Sequence, residues 1–179
     1  MVQEQVLAII NRVIEEHKVI HERMSTLQSV ANDAEAMLAI EKAKESFVPG
    51  RLDQAASLVK FREISDKVDT GLRAHFNFEE TSLLTAFQNY ADTRLAAGLQ
   101  TLLLEHKDLT DRMNDARRHL ADLTGGQLSR HAWEATAHDL RAHITHTRKL
   151  IEGHNGREQV LLVELQKQIK SAGEGTGPA

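Results

Sequence analysis

Cysteine is absent from the chain of 179 residues. That excludes disulfides, iron–sulfur clusters and thiolate zinc sites, so a bound metal would need nitrogen and oxygen ligands. Proline occurs only twice, which suits long amphipathic helices better than a sandwich or barrel. No stretch approaches the roughly 18 apolar residues of a spanning helix. Nor does the start, Met1 to Gln5, show a basic segment ahead of an apolar run. The expectation is a cytoplasmic protein with no membrane partner. A surplus of one charge is missing as well: acids and bases are interleaved and the net charge is −4. Counterion release therefore has no evident source, and nucleic acid is not an expected partner. Hydrophobic residues make up 41% and charged residues 27% of a chain long enough to bury one core. Histidine is the residue in excess, with ten copies.

Val6, Ile9, Ile10, Val13, Ile14 and Ile20 recur at three- and four-residue steps, the period of a helix with one buried face. This first helix is expected to reach about Glu45, with Pro49-Gly50 breaking the pattern. A second helix is expected from about Asp53 to Tyr90. Asp92 or Thr93 is placed to cap a third, which carries Leu95, Leu99, Leu102, Leu103, Leu109 and Met113 and ends at Thr124-Gly125-Gly126. Ser129 is placed to cap a fourth running toward Lys170. Gly153 and Gly156 could bend it, each costing about 1 kcal/mol in a helix interior. Four helices with short connections predict an all-α, up-down-up-down four-helix bundle over residues 1–170, with 171–179 as a disordered, flexible tail.

The segment Glu16-His17-Lys18-Val19-Ile20-His21-Glu22-Arg23-Met24 recurs 89 residues later as Glu105-His106-Lys107-Asp108-Leu109-Thr110-Asp111-Arg112-Met113, identical at five positions. A second element also occurs twice: His75 with Glu79, and His154 with Glu158, each acid four residues after its histidine. Residues four apart share a helix face, so such an imidazole and carboxylate can reach one ion. The order His, His-x-x-x-Glu, His, His-x-x-x-Glu folds into a pseudo-twofold pair of helical hairpins. Each hairpin can hold one metal, and the two glutamates can bridge them, offsetting charge that is costly to bury.

On these residues, from about Glu15 to Leu162, the chain resembles the hemerythrin-like (HHE cation-binding) family. The resemblance implies a hemerythrin-like bundle with two non-haem Fe ions joined by an oxo or hydroxo bridge. It further implies His17, His75, His106 and His154 as terminal ligands, with Glu79 and Glu158 as bridges. His21, four residues after His17, would give the first iron a third histidine and leave the second iron an open position. The family includes oxygen carriers and sensors, nitric-oxide-responsive and iron–sulfur repair proteins, and iron sensors. The expected function is binding of, or reaction with, dioxygen, peroxide or nitric oxide, with a protein partner if the chain is a sensor. Whether that makes it an enzyme stays open. Iron donation, iron sensing or a metal-stapled interaction module are the alternatives.

The remaining histidines have simpler readings. Leu140-Arg141-Ala142-His143 repeats Leu72-Arg73-Ala74-His75, which makes His143 a rival to His154. Thr147 would then stand where the acid is needed, so His154 is favoured. His146 could line an access path with His143. His119, His131 and His138 match no element and read as ordinary partly exposed residues, Glu80 as solvated, and Phe76, Phe78, Phe87 and Trp133 as packing. A ferritin-like di-iron site would need Glu-x-x-His, which no histidine here satisfies. A zinc hydrolase would need His-Glu-x-x-His, which is also missing.

Overall fold

The computed structural model describes residues 2–42 and 56–174, all-helical apart from short connections, with no strand among them. They form four helical rods. The first is α1 (Gln3–Lys42). The second comprises α2 (Ala56–Phe78), a π-helical turn (Glu79–Leu83) and α3 (Leu84–Tyr90). The third comprises α4 (Thr93–Leu103) and α5 (Glu105–Thr124), and the fourth is α6 (Arg130–Glu174). No helix among the described residues is long and apolar enough to cross a membrane. The expected break at Pro49-Gly50 and the ends at Glu45 and Asp53 lie outside the described residues, as do 175–179.

The boundaries follow local chemistry. Asp92 caps α4 by accepting a hydrogen bond from the Leu95 N–H at 2.8 Å, and the Ser129 hydroxyl accepts one from Ala132 at 3.3 Å ahead of α6. After α5 the chain turns at Gly126, whose φ of 68° is costly for a residue with a Cβ. Two features were not expected. Leu104, 79% exposed, interrupts the third rod, and the π turn interrupts the second. Conversely, Gly153 and Gly156 do not interrupt α6, which stays helical to Glu174, so residues 171–174, expected to begin the tail, belong to the helix.

Each rod buries a seam built of three- and four-residue steps, as in bundle and coiled-coil packing. On α1 it runs Val6, Ile10, Val13, His17, Ile20, Met24 and Leu27, all buried. Contacts show how the rods face one another. Gln3 Nε2 donates to the Ile169 carbonyl, Gln166 to Asn11 Oδ1, and His21 lies against Glu152, so partners on α6 fall as positions on α1 rise. Likewise Arg117 pairs with Asp69 and Arg73 with Asn114 between α5 and α2.

The seam carries two apolar clusters. One includes Ile20, Met24, Phe61, Leu72, Phe76, Leu109, Met113, Trp133 and Ile151. The other includes Val6, Ile10, Val13, Leu83, Phe87, Leu95, Leu99, Leu162 and Leu165. Between them every rod puts histidine or glutamate on the seam: His17, then His75 and Glu79, then His106, then His154 and Glu158, none more than 8% exposed. The site is thus a polar layer between two apolar clusters.

Candidate metal centre

Two groups of donor atoms converge in this layer. His17, His75, Glu79 and Glu158 form one, and Glu79, His106 and His154 the other. Glu79 belongs to both. Its Oε1 lies 2.7 Å from His75 Nε2 and 3.5 Å from His17 Nε2, while its Oε2 lies 3.1 Å from His106 Nε2. The Nε2 atoms of His106 and His154 face each other at 3.3 Å. Glu158 Oε2 approaches His17 Nε2 at 3.0 Å. Both glutamates were expected to bridge. The structure gives the two-sided position to Glu79 and brings Glu158 to the first group alone.

The layer fits a cation. His17 Nε2, His75 Nε2 and all four carboxylate oxygens of Glu79 and Glu158 are buried without an aligned hydrogen bond. They sit close enough to attract one another, and the donor atoms of each group all lie within 4.8 Å of one another. Such atoms cost about 1–3 kcal/mol each when left unsatisfied in a core, and one ion accepting from several of them removes that cost. The donor set is nitrogen and oxygen only, matching the absence of cysteine.

Electrostatics are divided unevenly. Burial alone would lower the His17 imidazole, but Glu158 and Glu79 raise it to about 9. Burial pushes the Glu158 carboxyl up to about 7, with the Glu79 charge adding to the effect and His17 opposing it. Burial would raise Glu79 too, but contacts with His106, His17 and His75 hold it well below the usual carboxylate range. His75 and His106 are raised against their burial, chiefly by Glu79, whereas burial wins at His154 and lowers it.

The far ring nitrogens also have partners. His75 Nδ1 lies 2.9 Å from Glu16 Oε2, His106 Nδ1 2.8 Å from Glu80 Oε1, and His154 Nδ1 3.1 Å from Glu105 Oε2. Sequence reasoning missed this role for all three acids and took Glu80 as solvated. The available signal was the glutamate that precedes the histidine in both copies of the repeat.

Of the seven residues expected to bind metal, six meet in this layer and His21 does not. Its side chain is 61% exposed and its Nδ1 lies 3.1 Å from Glu152 Oε1. The reason is the seam: His17 follows Val13 by four residues, so the next inward position is Ile20, three further on, and residue 21 falls on the flank. His143 is also elsewhere, its Nε2 donating to the Arg112 carbonyl at 2.8 Å. Phe76 stacks on the His106 ring with centroids 4.1 Å apart, so the packing role expected of it places it as an apolar wall of the second group.

A helical bundle with a buried histidine and glutamate cluster between its rods is a cation-binding scaffold. The model of the hemerythrin HHE cation binding domain matches residues 8–153, and the chain belongs to that family. No curated protein and no solved structure matches it. The match takes in His17, His75, Glu79 and His106 and ends at Gly153, so His154 and Glu158 rest on the internal repeat and on the geometry.

Proposed function

We propose that the chain is a non-haem di-iron protein that binds or reacts with dioxygen, peroxide or nitric oxide, with rods connected up-down-up-down. The observation that carries the two-ion reading is Glu79, whose two oxygens face two separate sets of imidazoles. His17, His75, Glu79 and Glu158 would hold one ion, and His106, His154 and Glu79 the other. Iron bound there supplies reversible one-electron chemistry and affinity for small diatomic ligands.

The protein's part is orientation and exclusion. The seam fixes each donor's direction, and Phe76 lies against the His106 and His154 rings as an apolar wall. The second group has three donors against four in the first, so an external ligand is expected on that side. Metal analysis after anaerobic reconstitution should return about two irons per chain. Stopped-flow absorption of the reduced protein mixed with dioxygen, peroxide or nitric oxide should then show a fast change. One iron per chain sinks the dinuclear reading. Two irons that stay spectrally inert toward all three ligands would favour a metal-stapled interaction module.

A further inference from the structure

The repeated Glu-His dipeptide is only half used by the metal reading, which takes His17 and His106 and leaves Glu16 and Glu105 without a task. Each of these acids supports a histidine on another rod. Glu16 of α1 reaches His75 of α2, and Glu105 of α5 reaches His154 of α6. One dipeptide thus offers a donor to the centre and holds the donor of its neighbour.

The third acid comes from the π turn. The Leu84 N–H donates to the Glu79 carbonyl, five residues back, which widens the helix at that point. Glu79 faces the gap while Glu80 reaches His106 Nδ1. In the matching element of α6 the residue after Glu158 is Gln159, which carries no charge, and α6 has no π turn. The asymmetry has a pattern. Leaving aside the shared Glu79, the first group has one direct carboxylate, Glu158, and one outer acid, Glu16. The second has no direct carboxylate and two outer acids, Glu80 and Glu105.

Resting on the di-metal reading, we propose that Glu16, Glu80 and Glu105 are positioning carboxylates, and that Glu80 and Glu105 make up at the second group for the carboxylate that Glu158 gives the first. A carboxylate on Nδ1–H fixes the tautomer that presents the Nε2 lone pair inward. It also makes the ring a stronger donor, which matters most where a cation meets fewest direct negative charges.

Glu80 and Glu105 are half-exposed, so their replacement should leave the fold intact, which circular dichroism would verify. The probe is zinc added to the metal-free full chain with ¹⁵N-labelled histidine. Calorimetry reads each affinity, and the ring nitrogen shifts show which histidines are engaged. The wild type should take up two ions. The E80Q/E105Q double variant keeps an acceptor but loses the charge. It should hold the first ion unchanged and bind the second roughly 10–100-fold more weakly, with His106 and His154 still metal-free in their shifts at one equivalent. E80A/E105A should weaken the second ion further, and their Nδ1–H signals should move even without zinc. E16Q should weaken the ion at His17 and His75 instead. Two ions of wild-type affinity in the double variant would overturn this inference and leave the di-metal reading standing, as would equal loss at both groups. A wild-type chain that takes up fewer than two ions overturns both.

Discussion

A fully buried carboxylate among imidazoles stays ionised only if its surroundings supply compensating charge. Glu79 has that from three histidines without a metal and would have it from two ions when loaded. Glu79→Ala should therefore reduce the metal content to well under one ion per chain. Glu158→Ala should cost chiefly the ion held by His17 and His75, leaving about one per chain. Elemental analysis separates the cases, and equal loss in both variants would make Glu158 a second bridge. His21→Ala should leave stoichiometry and the rate of autoxidation at the wild-type values, because its ring is exposed and turned toward Glu152. Faster autoxidation in that variant would restore His21 as a ligand. His17, His75, His106 and His154 were legible in the sequence because an ionisable residue interrupts an apolar seam at repeated positions. His21 misled because spacing within one helix cannot say which of two steps, three or four, turns inward next.

Helix existence and most caps were equally legible from period and capping chemistry, but the π turn was not. The seam takes two consecutive four-residue steps in the second rod, His75 to Glu79 to Leu83, and again in the fourth, His154 to Glu158 to Leu162. Only the first opens a π turn; the fourth rod absorbs the same pattern in a regular helix. Such a stutter is a tension in the pattern that either local unwinding or gradual drift can relieve, and in the second rod the unwound turn carries Glu80, which reaches His106. The Thr81 side chain is exposed, and its hydroxyl donates to the Asn77 and Phe78 carbonyls one turn back. Deleting it should restore a regular helix with Leu83 still inward. Helical content by circular dichroism should stay unchanged, while affinity for the second ion falls by roughly 10–100-fold as Glu80 swings away from His106. Unaltered affinity would show that the π turn has no part in the centre.

The whole molecule balances two apolar clusters against one polar layer, and that balance sets its response to pH. In the metal-free protein His17 is raised from an ordinary 6.5 to about 9, so its contribution to stability is complete below about 6.5 and lost as pH rises through about 9. Glu158, raised from 4.5 to about 7, acts in the same sense and loses its contribution as pH rises through about 7. Glu79, lowered, acts oppositely: its contribution is present above about 4.5 and lost in stronger acid. Thermal denaturation of metal-free protein should thus show greatest stability near pH 5–6 and a decline toward pH 9. Added metal, which needs deprotonated ligands, should raise the melting temperature more at pH 8 than at pH 6. A flat metal-free profile would mean that these groups are hydrated in solution.

The same balance predicts that the layer is retained for binding and not for folding. Leucine at His17, His75, Glu79, His106, His154 and Glu158 together would join the clusters on either side into one seam, removing buried atoms that have no aligned partner. Replacing a buried ionic set by apolar residues of similar size is often neutral or stabilising by about 1–4 kcal/mol. The six-fold variant should therefore bind no iron yet unfold in urea at a higher midpoint than metal-free wild type. A lower midpoint would mean that the ion pairs of the layer hold the rods in register even without metal.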